Sequence, residues 1–201
     1  MKTTCIFLGA MMIMNAAFAK TYTLGSGKWN DARVWGNDYT GTTVNPGDVV
    51  IITGLVTITE NITINGTLQI EKGACIVGLK DLDISKTGRL INNGSIVMKR
   101  IINQGTIYNN LMMEATLDIE NQGKIENNSN VVAGNDFDTN TGNMGGNGGA
   151  YYVNNTLKTS AASTFAKNVE AFYGNTVDSS TKTSVPAASP APVLTASSLG
   201  H

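Results

Sequence analysis

The chain has 201 residues, of which 41% are hydrophobic, 6% aromatic and only 14% charged, enough for one ordinary core with appendages. Lys and Arg number 14 against 15 Asp and Glu, and no basic block stands out, so no electrostatic footprint for nucleic acid is present. The single histidine is His201, the last residue, which removes mechanisms that need an imidazole base, a Ser-His-Asp or Cys-His pair, or a histidine-rich metal centre. The composition therefore predicts a protein that is not an enzyme and carries no resident cofactor.

Lys2, the apolar run Ile6 to Met14 and Ala17-Phe18-Ala19 have the layout of a cleaved secretory signal peptide over 1–19. The run is shorter than the roughly 20 residues that cross a bilayer, and no later segment approaches that length, so no transmembrane segment is expected in the mature chain. Cys5 leaves with the signal and Cys75 remains alone, so packing and backbone pairing must supply the stability. Residues 20–43 are read as an N-terminal cap.

From Val44 to 132 apolar and polar residues alternate, as in Val56-Thr57-Ile58, Ile62-Thr63-Ile64, Leu68-Gln69-Ile70 and Leu82-Asp83-Ile84. Period two with β-branched enrichment predicts short strands with one buried face. A turn phrase recurs with them: Ile64-Asn65-Gly66, Ile91-Asn92-Asn93-Gly94, Ile102-Asn103-Gln104-Gly105 and Ile119-Glu120-Asn121-Gln122-Gly123. Strands of about five residues punctuated by Gly or Asn, residues that tolerate positive φ, predict a chain coiling into a parallel β-solenoid. The fold class is thus all-β, a single right-handed parallel β-helix; a meandering antiparallel sandwich is the alternative. A coil of roughly 18 residues gives four or five coils over this span. Asn92, Asn103 and Asn121, with Gly94, Gly105 and Gly123, are expected to stack near one corner as a structural amide ladder.

The segments Gly27-Lys28-Trp29-Asn30-Asp31-Ala32-Arg33-Val34-Trp35, Asn45-Pro46-Gly47-Asp48-Val49-Val50-Ile51-Ile52 and Ile64-Asn65-Gly66-Thr67-Leu68 form a pattern W-x-D-x-x-x-W, P-G-D-x-V-x-I, I-x-G-x-L over residues 27–73. This resembles the start of G8-like modules and the opening of secreted bacterial surface proteins with right-handed β-helices. The resemblance implies an extracellular β-helix and, in some members, carbohydrate binding or processing. Trp29 and Trp35 are read as covering the open end of the solenoid, or alternatively as a platform on which a sugar stacks.

Asp136, Asp138 and Asn140 place oxygen ligands at alternate positions, which resembles the first half of a Ca²⁺ loop. The glycine stands at the seventh position and Asn147 at the twelfth, so the match is incomplete and an exposed, solvated loop is the simpler reading. Gly142 to Gly149 lacks the endings of a phosphate cradle and reads as a connection. Lys80, Asp81, Asp83, Glu114, Asp118, Glu120 and Glu126 supply charge for outward positions. Threonine rows do not persist from repeat to repeat, so an ice-binding face is not expected.

Residues 133–156 are a Gly/Asn-rich loop with room for a last strand. Residues 157–174 hold a short helix in which Ser163 or Thr164 caps Phe165 to Tyr173, and 175–201 read as a disordered Ser/Thr/Ala/Pro tail. These features together predict a secreted or cell-surface protein with a structural or adhesive role, whose partner is a surface polysaccharide or a protein. Self-association through the solenoid ends is a further expectation. The alternative function is a carbohydrate-binding or carbohydrate-processing module.

Overall fold

The computed structural model describes residues 19–178, apart from 37, 39, 40, 161 and 167. The leader proposed over 1–19 therefore lies outside the described residues except for Ala19, as does 179–201 of the tail. The described chain is an all-β parallel solenoid of about seven coils.

Each coil is three short strands separated by corners, and every strand pairs in parallel with its counterpart in the next coil. The first face starts with Thr21–Leu24, Val49–Ile52, Thr67–Ile70 and Arg89–Asn92 and reaches Thr164–Phe165 as an eight-stranded sheet. The second face contains Leu55–Ile58, Cys75–Gly78, Ser95–Met98, Met112–Ala115 and Asn130–Ala133. The third contains Ile62–Ile64, Asp81–Ile84, Arg100–Asn103 and Ile119–Asn121. The ten-residue strand Ala150–Thr159 runs past the corner between these two faces and merges them into one 14-stranded sheet, with a bulge between Val153 and Thr156.

The alternation of residue types produces this architecture directly. In strands such as Val49–Ile52 and Thr106–Asn109, the second and fourth residues point inward and are buried, while the first and third face out. In-register stacking then aligns Val50, Leu68, Leu90, Ile107, Ile125 and Met144 into one column of the first face. All six are essentially fully buried, each contributing about 1.5–3 kcal/mol of burial. Cys75, the one cysteine among the described residues, is half-buried on the second face.

Three expectations are corrected. The solenoid is longer than four or five coils over 44–132: it runs from Thr21 to Asp178, so the segments read as N-terminal cap and Gly/Asn-rich loop contribute coils of their own. The sequence repeat weakens there because the step between paired strands is 28 to 29 residues in the first coil against 17 to 22 in those that follow, and the strand Asn143–Gly145 within the Gly-rich stretch offers only Met144 to the core. Secondly, no helix occurs among the described residues, and Thr164–Phe165 and Glu170–Asp178 are strands. The local preference for a helix over Phe165 to Tyr173 is overridden by the sheet edge, which offers each new backbone N–H and C=O a partner already in place. Thirdly, Asn175 to Asp178 belongs to the last strand rather than the tail, in register with Thr156–Thr159.

Candidate functional site

The inward polar residues are assigned by the corners. At the corner after the first face, the Asn92 amide donates to Asn109 Oδ1 at 2.7 Å and Asn109 donates to Asn127 Oδ1 at 2.8 Å. Each of these amides also reaches a main-chain carbonyl of the next coil: Met112 at 2.7 Å, Asn130 at 2.9 Å and Ala150 at 3.0 Å. Those carbonyls lie where the chain bends away from the sheet, so the side chains supply the donors that the ladder no longer offers. Outside this buried stack runs a second, exposed one, Asn93–Asn110–Asn128, with amide bonds of 2.8 and 2.7 Å. The corner after the third face has its own pair, Asn103 to Asn121 at 2.8 Å.

The expected single ladder of Asn92, Asn103 and Asn121 is therefore two ladders on two corners. Asn92 and Asn103 are eleven residues apart, less than one coil, and cannot stack. Asn109 and Asn127 escaped the sequence reading because neither precedes a glycine by two; the Asn-Asn pairs at 92, 109 and 127 carry the signal instead. The glycines also act differently from expectation. Gly94, Gly105 and Gly123 are not among the positive-φ residues. A methyl at Gly105 would fall on the Gly88 carbonyl oxygen, one at Gly123 on that of Gly105, and one at Gly94 on that of Ala74. Close coil-to-coil approach, rather than backbone handedness, selects glycine there.

Trp29 and Trp35 are 1% and 4% exposed. They pack edge to face at 4.9 Å, with Tyr22 against Trp35 at 5.5 Å, and Trp35 Nε1 donates to the Trp29 carbonyl at 2.5 Å. Both rings are thus core at the first coil, and neither presents a face for sugar stacking. Asn45-Pro46-Gly47-Asp48 is a turn closed by Asp48 N–H to the Asn45 carbonyl at 3.0 Å, with Gly47 at φ 86°. The Asp48 carboxylate, 8% exposed, accepts the Lys20 main-chain nitrogen at 2.9 Å.

The third face gathers the charges. Arg100 makes a paired bond to Asp81, at 3.1 Å and 2.5 Å, and lies 3.7 Å from Glu120. A groove of about 160 Å³ is lined by Asp118, Glu120, Asp136, Asp138 and Lys158, with Asn135. Its carboxylates serve the coils themselves. Asp118 Oδ1 accepts from Asn135 Nδ2 and the Asp136 N–H, while Asp136 accepts from Asn155 Nδ2 at 2.8 Å and Lys158 Nζ at 2.6 Å. The Arg100 guanidinium holds the Asp81 carboxyl below the ordinary range. Burial pushes Asp136 up, but the Lys158 ammonium and its hydrogen bond outweigh that and hold it down. Burial, with the Asp81 charge beside it, pushes Asp83 up.

Asp136, Asp138 and Asn140 do not form a cation cage. Phe137–Asp138 is extended, so residues two apart stand about 7 Å apart in a row and do not converge on a point. Asp138 caps the Asn140 N–H at 3.1 Å, and no cluster of three metal-ligating side chains occurs among the described residues.

The second face is different in kind. Its register aligns Lys28, Thr57, Val77, Val97, Glu114, Val132, Tyr152 and Phe172 into one row on the outer side of the sheet, in which Val132 is covered by its neighbours and 5% exposed. Beside it runs Leu55, Cys75, Ser95, Met112, Asn130, Ala150 and Glu170. The Tyr152 and Phe172 rings stack at 5.2 Å and 11°. Leu55 and Leu111 stand exposed on one flank, and Leu79, 76% exposed, with Leu117 on the other. A shallow groove of about 390 Å³ runs between Thr57, Val77, Leu79 and Val97. Glu114 is the one carboxylate of the long row before its last strand, and burial pushes its carboxyl up. The apolar residues of this face were legible one by one; only the coil register shows that they are neighbours.

No family model, curated protein or solved structure matches this chain.

Proposed function

We propose that this chain is an exported, non-catalytic β-solenoid whose role at the cell surface is structural or adhesive. The observation that carries this reading is the segregation of the outer surface. Val77, Val97, Val132, Tyr152 and Phe172 recur along the second face with Thr57 and Glu114 among them, whereas Asp81, Arg100, Asp118, Asp136 and Lys158 of the third are bound into coil-to-coil bonds, and a largely apolar contact surface of that kind suits association rather than turnover. The carboxylate groove and the stacked aromatic pair lie on different faces, whereas a sugar-processing cleft brings the two together. The resemblance of residues 27–73 to G8-like modules points the same way, toward an extracellular β-helix.

Export is further supported by Lys20. Cleavage after Ala17-Phe18-Ala19 leaves the Lys20 nitrogen as an α-ammonium 2.9 Å from the buried Asp48 carboxylate, a charge-assisted bond that fastens the first strand of the mature protein. Mass spectrometry of the exported protein is expected to find Lys20 as its first residue.

The role is tested by adhesion of the exported protein, and of cells displaying it, to surfaces coated with proteins and with glycans. Adhesion that falls when Val77 and Val97 are replaced by Lys supports the reading; adhesion unaffected by those changes, or turnover of a polysaccharide, overturns it. A glycan array examines the second reading, carbohydrate binding, which the third-face carboxylate groove favours. Selective binding lost in Asp118→Asn or Glu120→Gln would transfer the role to that groove.

A further inference from the structure

Among the described residues no other element packs on the outside of the second face, a largely apolar strip interrupted by Thr57 and Glu114, and its dimensions and residue order identify what fits it. Between Gly27–Lys28 and Glu170–Asp178 eight strands follow one another at about 4.8 Å, a length of about 34 Å. Four residues of extended chain with the corner leucines give a width of about 20 Å, so a flat partner buries about 700 Å² on each side. The total, about 1,400 Å², lies within the range of specific, stable interfaces. A small ligand covers only a fraction of such a strip; another flat, apolar sheet of the same length covers all of it, with the spacing of about 10 Å seen where sheets pack face to face.

We propose that this face binds the same face of a second copy of this chain, giving a closed dimer with the two solenoid axes antiparallel. This rests on the structural or adhesive reading and names its first partner. The two-fold axis that overlaps the faces fully lies parallel to the strands, between Ser95–Met98 and Met112–Ala115. It sets Val77 at the level of Val132 of the partner subunit and Thr57 against Tyr152 of the partner subunit. Each Glu114 then faces Val97 of the partner subunit, so the two carboxylates do not meet. At the ends Lys28 meets Phe172 of the partner subunit with Glu170 of the partner subunit beside it, a pairing of opposite charge at both rims. With the axes parallel, every residue meets its own level, and the two Glu114 come to the same height. The antiparallel arrangement is therefore the complementary one. Because the face is used up in a two-fold contact, assembly stops at two, unlike stacking through the solenoid ends, which continues into filaments.

The test is sedimentation equilibrium of the purified protein across a concentration range from nanomolar to tens of micromolar. A mass twice that of the chain, with no larger species, is expected, and Val77→Lys with Val97→Lys is expected to halve it while far-UV circular dichroism stays β-rich. Cys75 lies opposite Asn130 of the partner subunit in this arrangement, so Asn130→Cys supplies a second measurement that does not depend on the lysine variant folding. Sheets packed at about 10 Å hold facing Cα atoms too far apart for a disulfide, so a short bis-maleimide is used, and it is expected to give a covalent dimer in Asn130→Cys and none in the unaltered protein. A monomer throughout, a ladder of trimers and larger species, a dimer indifferent to the two lysines, or a Cys75–Cys75 cross-link in the unaltered protein overturns the proposal. If the protein is monomeric yet adheres to surfaces through the same residues, the dimer is wrong and the adhesive reading stands. A dimer that adheres to nothing has the opposite meaning.

Discussion

Asn109 is completely buried, donates to Asn127 Oδ1 and the Asn130 carbonyl, and receives the Asn92 amide. Replacing it with Ala takes the acceptor from one of the two Asn92 amide hydrogens and removes the side-chain donor to Asn127 Oδ1 and to the Asn130 carbonyl, and a buried polar group that loses its partner costs about 1–3 kcal/mol. Asn109→Ala is therefore expected to lower unfolding free energy by about 3 kcal/mol in urea titration. Asn110→Ala, in the exposed outer stack, is expected to lose less than about 1 kcal/mol because water replaces the amide. The upper end of the buried stack explains itself in the same terms. Asn92 Oδ1 lacks a donor because the coil before it places Ile70 at that register. Gly105→Ala is expected to be as severe as Asn109→Ala, although its backbone is unremarkable, since the added methyl forces neighbouring coils apart at the Gly88 carbonyl.

Strands of the third face are joined across coils by charge, and the groups titrate with opposite signs. Asp81 and Asp136 are held below the ordinary aspartate value of about 3.9 by Arg100 and Lys158 respectively. Their contribution to stability is thus present above that value and lost as pH falls through the folded values beneath it. Asp83 is raised, so its charged form opposes folding: the opposition is absent below about pH 3.9 and grows as pH rises through its folded value. Thermal melts are expected to show Asp83→Asn stabilised at pH 7 and indistinguishable from the unaltered protein well below pH 3.9. Asp136→Asn is expected to be destabilised at pH 7 and to lose less on acidification. Equal pH profiles for all three would show that these pairs contribute nothing to the coil contacts.

Across the whole molecule, each coil touches only its neighbours, so an inner coil has two partners and a terminal one has a single partner. Amide hydrogen exchange is expected to be slowest in the strands from Thr67–Ile70 to Lys124–Asn127 and fastest in Thr164–Phe165 at the far end. Protection that is uniform from Thr21 to Phe165 would mean that the stack opens only as one unit. The first coil departs from the simple end because Trp29, Trp35 and Tyr22 form an aromatic cluster over it, so Thr21–Leu24 is expected to exchange more slowly than Thr164–Phe165.

The amino-acid sequence by itself determined the solenoid, because alternation of period two with a turn residue every few positions is a local property, and the inward Val, Ile and Leu are read from it without knowing what they touch. It also marked the corners, through Asn and Gly, since bending a strand requires particular residues at particular points. Tertiary structure alone decided how many coils there are, because coils of 17 to 29 residues blur the repeat, and it turned the stretch after Ser163 into strand by offering an unpaired sheet edge. It also decided which residues are neighbours. Asn92 with Asn109, Arg100 with Asp81, and Val77 with Val97 are each about one coil apart, and only the register sets side chains at that separation in contact on one face. The surface of this protein is therefore built from register, a long-range quantity, while its core follows from alternation, a short-range one.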